Sequence, residues 1–418
     1  MKFSLLRYLI PPLIVLLIDV YTFQAVVTAT AGMNPGARKW IYIAFWGFTA
    51  FTLIFLIVAL LTDFFHWPHG LRVYLSAIVF MVYISKIFVL PFLVADDLIR
   101  AGKWISELVS RNKEPVAPND SAITRSEFLS QAGLMLAGVP IVLVTYGMVY
   151  GGFHLKVRRQ MLKFKNLPTS FDGLKIVQIS DIHSGTFVST DPLQRAVEKI
   201  NELQPDIIFF TGDLVNNYAD EVEPYIDTLK QLKATYGVYS ILGNHDYGDY
   251  VEWENTEDRR KNIERLYAAQ EQMGWDLILN DHRIIEREGE KLAVAGVENW
   301  SSHMRFPKYG DLHKALKGVS KDTFTVLLSH DPSHWEAQVQ EHGHEIGLTL
   351  SGHTHGMQFG IDTKVLKWSP VQYIYKQWAG LYRKDEKYLY VNRGLGFIGY
   401  PGRVGIRPEI TLIELARG

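Results

Sequence analysis

Four long apolar stretches constrain the first third of this chain more than anything else in it. They run from Leu9 to Ala31, Trp40 to Leu61, Tyr74 to Val94 and Phe128 to Tyr150. As a helix, each is long enough to cross the roughly 30 Å of hydrocarbon in a bilayer. Residues 1–155 are therefore expected to form an all-α membrane region of about four transmembrane helices, and residues 156–418 a separate domain. The first stretch contains Pro11, Pro12 and Asp19, and a cleaved signal peptide is its competing reading. A retained helix is preferred, because no small-x-small cleavage site is followed by a soluble stretch. Lys86, inside the third stretch, must face other helices or snorkel. Asp19 is its expected partner across the bundle, with a functional cavity as the alternative.

A polar linker from Ala95 to Arg125 carries the turn formers Pro115, Pro118, Asn119 and Asp120. The charges flanking the spans disagree about sidedness. Lys2 and Arg7 favour a cytoplasmic N-terminus, and with four spans a cytoplasmic C-terminal domain. Arg38, Lys39, Arg100, Lys103, Arg111, Lys113 and Arg125 favour the opposite orientation. Thr124 to Ser130 resembles a degenerate twin-arginine export signal, with Ser126 where the second arginine belongs; an ordinary polar flank reads equally well. The expectation is an integral protein of a bacterial inner membrane, its catalytic domain on the extracytoplasmic side.

A formal net charge of −1 argues against a general nucleic-acid binder. Cysteine is absent, so any metal must be held by nitrogen and oxygen donors. From about Leu167 short apolar runs alternate with helical ones. Strands are expected at 174–179, 206–210, 238–242, 292–297, 324–328, 348–350, 388–391 and 409–415, and helices at 192–203, 221–232, 258–273 and 332–340. That alternation implies βαβ units around a largely buried sheet.

Polar residues collect at the strand ends. Ser180-Asp181-Ile182-His183 closes one strand, and Thr211-Gly212-Asp213 the next. Leu242-Gly243-Asn244-His245-Asp246, Ser329-His330-Asp331 and Ser351-Gly352-His353-Thr354-His355-Gly356 follow. Open α/β sheets bind ligands at the carboxyl ends of their strands, so these five segments can converge. Their donors suit a centre of two divalent ions, Mn, Fe or Zn, with Asp213 as the bridging carboxylate. Glycines before Asp213, Asn244 and His353 permit tight turns after a strand. The two histidines of the last segment aim the same way if the backbone between them is extended.

Asp-x-His, Gly-Asp-x-x-Asn, Gly-Asn-His-Asp, Ser-His-Asp and Gly-His-Thr-His occur here in order. Together they resemble the calcineurin-like metallophosphoesterase superfamily over about Leu174 to Leu415, closest to its bacterial membrane-anchored or exported phosphodiesterases. The runs 243–248 (GNHDYG) and 392–396 (NRGLG) carry that closer likeness. The resemblance implies a four-layer α/β/β/α sandwich. It also implies one ion on Asp181, His183, Asp213 and His355, and a second on Asp213, Asn244, His330 and His353. His245 would stand beside the phosphoryl group as proton donor or charge stabiliser, while a metal-bridging hydroxide attacks phosphorus in line. Asn216 departs from those relatives that place an aspartate there to pair with the catalytic histidine.

Asn217 and Arg393 are candidate contacts for a substrate phosphate, Arg393 because a guanidinium matches phosphate oxygens in pairs. Asp246 and Asp331 are expected to orient the ligands beside them. The aromatic, basic stretch from Trp368 to Tyr382 suits a wall of the site, a membrane interface or plain core. The functional expectation is a membrane-anchored phosphohydrolase acting on a phosphoester, phosphodiester or pyrophosphate, in a small phosphorylated molecule or a lipid-linked or envelope substrate. The alternatives are a non-catalytic receptor or scaffold with a vestigial metal site, and a cytoplasmic-facing pyrophosphatase resembling UDP-diacylglucosamine hydrolases.

Overall fold

A computed structural model describes residues 2–62, 64, 67–109, 124–152 and 154–418. Its contacts divide the chain into two units, Met1–Thr145 and Tyr146–Gly418.

The first unit is helical: α1 (Lys2–Ala29), α2 (Pro35–Leu61), α3 (His69–Val109) and most of α4 (Arg125–Tyr146). Among the described residues, four helices are long and apolar enough to cross a membrane. The third runs well past the expected end of its apolar stretch, to Val109. Residues 95–109 are rich in good helix formers and hold no proline, so the helix continues after its apolarity stops. Pro115, Pro118, Asn119 and Asp120 lie outside the described residues.

Asp19 and Lys86 do pair. Lys86 Nζ stands 2.5 Å from Asp19 Oδ1, while Thr49 Oγ1 and the Tyr83 hydroxyl donate to Oδ2 at 2.7 and 2.6 Å. A buried carboxylate needs this satisfaction, since desolvating an ion pair costs about as much as its attraction returns. Arg125 Nε and Ser126 Oγ both donate to Asp96, which ties the start of α4 to α3. The signal-like segment thus has a packing role in this structure.

In the second unit two six-stranded sheets pack face to face. One has the order β1 (Lys156–Phe164), β14 (Glu409–Arg417), β2 (Lys175–Ile179), β3 (Ile207–Phe210), β4 (Val238–Ser240) and β5 (Trp275–Leu277). The other has the order β12 (Gly380–Lys384), β13 (Lys387–Val391), β9 (Ile346–Ser351), β8 (Thr325–Leu328), β7 (Glu290–Gly296) and β6 (Asp281–Arg287). A two-stranded hairpin, β10 (Ile361–Asp362) and β11 (Lys367–Trp368), stands apart.

Strands β2, β3, β8 and β9 are apolar and almost wholly buried because both of their faces are covered, as parallel strands require. Between the sheets Ile176, Phe209 and Ile413 meet Val326, Leu348 and Tyr390. Outside the first sheet lie α5 (Asp191–Glu202), the short α6 (Ile226–Leu229) and α7 (Thr256–Gln272). Outside the second lie α8 (Leu312–Ala315) and a π-turn, Trp335–Val339. This is the expected α/β/β/α sandwich.

The expected helix at 221–232 is broken. Glu221 folds back to accept from the backbone of Asn216 and Tyr218, and Pro224 starts a fresh 3-10 turn, Glu223–Tyr225, leaving α6 only four residues. The expected helix at 332–340 is that single π-turn.

Candidate metal centre

Five strand ends, those of β2, β3, β4, β8 and β9, deliver the polar residues to one place. Asp181, His183 and His355 offer donor atoms within 4.8 Å of one another, and so do Asp213, His330 and His353. Asp213 connects the groups: its Oδ2 lies 3.1 Å from His330 Nε2 and 3.5 Å from His183 Nε2. In the first group His183 Nε2 and His355 Nε2 are 3.0 Å apart, and His355 Nε2 is 3.3 Å from Asp181 Oδ1. In the second, Asn244 Oδ1 lies 2.8 Å from His353 Nδ1 and 3.2 Å from His330 Nε2.

The turns that aim these groups are strained. Asp181, His183, Asp213, His353 and His355 all have φ between 47° and 70°. Each left-handed non-glycine residue costs roughly 1 kcal/mol or more, and such residues gather at functional sites. The backbone through the His-x-His turn is therefore not extended: both histidines are left-handed, with Thr354 at φ −78°, ψ −23° between them. Gly243 and Gly352 serve by leaving room, not by their torsions. A Cβ on Gly243 would strike Asp213 Oδ1, and one on Gly352 would strike Ser180 Oγ and Asp181 Oδ2.

Hydrogen bonds around the cluster place most of the imidazole protons. His330 Nδ1 donates to the Thr211 carbonyl at 2.7 Å, which leaves Nε2 as its inward atom. His183 Nδ1 faces Asn216 Oδ1 at 3.0 Å, again leaving Nε2. His353 Nε2 sits 2.8 Å from the Tyr375 hydroxyl, which itself donates to Asp331 at 3.1 Å, so His353 keeps its proton on Nε2 and turns the lone pair of Nδ1 inward. Asn244 Nδ2 donates to the Tyr250 hydroxyl at 2.8 Å and so points Oδ1 inward. Lone pairs of His353 Nδ1 and Asn244 Oδ1 thus face each other at 2.8 Å, an arrangement that a cation between them would satisfy. His355 differs: Arg403 Nη2 stands 3.3 Å from its Nδ1 and can only donate.

The titration behaviour fits cation binding. Burial pushes the pKa of His183 down to about 3 and that of His353 to about 4, and holds His355 well below the ordinary range with help from His183 and Arg403. Neutral imidazole is the ligand form. Burial lowers His330 too, but Asp213, by charge and hydrogen bond, overcomes it and raises His330 to about 10. Burial tends to raise Asp213, yet His330, His245 and His183 hold it well below the usual carboxylate range. A cation here would replace the proton that His330 presents to Asp213. Asp181, with burial the largest influence, rises to about 7.

Asp246 does what was expected of a residue beside a ligand. Its carboxylate accepts from the N–H groups of Asp213, Leu214, Val215 and Gly243 and so fixes the loop that carries the bridge. Asp331 anchors Tyr375. His245 is half-buried; its Nδ1 donates to the Asn216 carbonyl at 2.8 Å, and its N–H donates to Asp213 Oδ1 at 2.9 Å. Asn216 therefore serves two histidines, its backbone holding His245 and its side chain His183.

The two candidate phosphate contacts lie otherwise. Arg393 is buried, 2% exposed, and spends its guanidinium on Glu409 at 2.6 Å and Asp362 at 3.1 Å. Its guanidinium is committed to a buried ion pair in this structure. Asn217 is buried beneath Asn262, which donates to its carbonyl at 3.1 Å. Nothing in the sequence marks Tyr250 or Arg403 as site residues, and Tyr375 falls only within the aromatic stretch 368–382. Their ring and guanidinium signals are not distinguishable from core or solvated residues until the fold brings them to the ligands.

Two family models match this chain. "Probable Calcineurin-like phosphoesterase, transmembrane domain" matches residues 6–152, and "Calcineurin-like phosphoesterase" matches residues 174–357. The chain is 33% identical over 355 residues to a "Transmembrane protein with metallophosphoesterase domain" of Danio rerio, covering 83% of this chain and 74% of that protein. It is 30% identical over 265 residues to "Uncharacterized metallophosphoesterase YkuE" of Bacillus subtilis, covering 62% of this chain and 85% of that protein. Among solved structures, the phosphopantetheinyl hydrolase PptH of Mycobacterium tuberculosis aligns with TM-score 0.32 and 14% identity over 53% of this chain and 89% of that one, too distant a likeness to bear on function.

The chain belongs to the calcineurin-like metallophosphoesterase family. It is a membrane-anchored member, an integral membrane protein whose metal-dependent phosphoesterase domain follows a four-helix transmembrane region.

Proposed function

We propose that the second unit hydrolyses a phosphoester, phosphodiester or pyrophosphate bond in a lipid-linked or envelope substrate, using two divalent ions that share Asp213. The observation that carries the two-ion reading is the position of Asp213 Oδ2 between His330 Nε2 and His183 Nε2, each from a different group of converging donors. Asp181, His183, Asp213 and His355 would hold one ion; Asp213, Asn244, His330 and His353 would hold the other. When bound, such ions polarise phosphoryl oxygens and acidify a water nucleophile.

The protein's own groups do the rest. His245 keeps its Nδ1 proton on the Asn216 carbonyl, so Nε2 is the nitrogen left to face the leaving oxygen, and it is the doubly protonated ring that would pass its Nε2 proton there and return to the neutral Nδ1–H form. Its partial exposure beside the buried ligands suits a residue that meets substrate. Asp246 and the left-handed turns hold the donors in place before substrate arrives.

A lipid-linked substrate is supported by a contact inside the second unit, between its opening apolar turn, Gly147–Gly151, and the centre. The Arg403 N–H donates to the carbonyl of Gly147 at 3.1 Å, within the last apolar turn, while the Arg403 side chain reaches His355 at 3.3 Å. One residue thus separates the end of a span from a candidate ligand. The extracytoplasmic placement rests on the cations of the loops between spans one and two and between spans three and four, with the signal-like approach to span four, against Lys2 and Arg7 and the cations at Lys156, Arg158, Arg159, Lys163 and Lys165.

The test is hydrolysis by the purified full-length chain, stripped of metal and reloaded with Mn²⁺, Fe²⁺ or Zn²⁺, on an aryl phosphodiester and an aryl phosphomonoester. Hydrolysis restored by one of these ions and lost in Asp213→Ala is expected. An Asp213→Ala variant as active as its parent would sink the shared-carboxylate reading. Protease access in intact cells tests the side: cleavage of the domain only after lysis overturns the extracytoplasmic placement.

A further inference from the structure

The hairpin β10–β11 is small, exposed and apolar at its tip. Val365 is 98% exposed and Leu366 52%, with Ile361 at 43% on its flank and Tyr373 at 77% beside Trp368. A single exposed valine needs no explanation, but a contiguous apolar tip on a fixed hairpin does. The tip is fixed: Thr363 N–H donates to the Leu366 carbonyl and Leu366 N–H to Thr363 Oγ1, both at 2.9 Å. The base is fixed as well, because Asp362 is paired with both Arg158 and Arg393.

Its place in the unit is informative. From the carbonyl of Gly147, in the last turn of the fourth span, the Arg403 N–H bond leads to Val404. Val404 bridges Phe359 and accepts from the Gly360 N–H at 2.9 Å, and the hairpin starts at the next residue. Arg158, which holds the hairpin's base, follows the span by only seven residues. The hairpin is therefore built onto the part of the domain that receives the chain from the bilayer. Lys364, exposed at the tip, supplies a cation for lipid phosphates beside the apolar pair.

We propose that Val365 and Leu366 form a shallow membrane-inserting tip, seated in the interfacial layer of the same bilayer that the four helices cross. The occupant of this apolar surface is lipid. The tip sets the domain against the bilayer surface, and this does not depend on which bond the centre cleaves.

The chain has no cysteine, so Val365→Cys introduces a unique label site. The full-length variant, carrying an environment-sensitive fluorophore, is placed in nanodiscs with and without lipid bearing a shallow spin label. Lys317→Cys, exposed on the turn after α8, serves as the control. Quenching at Val365 at least about twofold stronger than at Lys317, with blue-shifted emission, is the expected result for an interfacial group. Equal quenching at the two sites overturns the proposal. So does a blue shift that disappears when each nanodisc holds one chain, because the surface then pairs with a second copy. A melting temperature matching the parent's shows that each variant is folded.

Discussion

Nδ1 of His245 donates to the backbone carbonyl of Asn216 at 2.8 Å, while the side chain of the same Asn216 reaches His183 at 3.0 Å. The amide at this position therefore orients a candidate ligand, and the histidine beside the substrate site is held by main chain. Asn216→Ala should weaken metal binding about tenfold, the usual scale for losing a partner that orients a ligand. At saturating metal the rate should be little changed. Activity titrated against free Mn²⁺ separates the two effects.

His245→Gln should lower kcat by roughly 10²–10⁴, the range for removing a positioned proton donor. Metal content should be unchanged, because His245 meets Asp213 through its backbone N–H. Paired rate and metal measurements on one preparation check this. A loss of bound metal together with rate would make His245 a ligand instead.

The buried carboxylate of Glu409 gives a pH-dependent prediction. Burial acts to raise its pKa, but Arg393 and Arg158 overcome this and hold it below its ordinary value. A carboxylate with a lowered folded pKa adds stability above its unfolded pKa, near 4.3, and loses it as pH falls through the folded value. Glu409→Gln leaves the Arg393 charge short of a partner, a change that costs about 3–5 kcal/mol in buried pairs. Denaturation of the parent and variant should differ by about that much at pH 7, and the gap should close below about pH 4.

Much of this site is written in the sequence, because ligand chemistry demands particular side chains at strand ends and tolerates few substitutes. Asp181, His183, Asp213, Asn244, His330, His353 and His355 are brought together where five strands end. The eight expected strands are all present, since continuous apolar runs such as Ile207–Phe210 have little alternative to burial between layers. Strand β1 was not anticipated: Arg158, Arg159 and Lys163 hide its alternation, and only pairing with β14 reveals it. The left-handed torsions of five ligand residues were also illegible, because nothing in Asp or His marks the residue that will bear strain. Arg393 misled for a related reason: a guanidinium suits a phosphate and a buried carboxylate equally well, and only the fold supplied Glu409 and Asp362.

In the proposed centre Asp213 joins two ions. Counting metal per chain by mass spectrometry, on parent and Asp213→Ala purified alike, tests this most directly. Two equivalents are expected in the parent and at most one in the variant, with hydrolysis reduced by roughly 10²–10³ or more, as for loss of strong electrostatic stabilisation. Two equivalents retained in Asp213→Ala, or no more than one in the active parent, would contradict the two-ion centre.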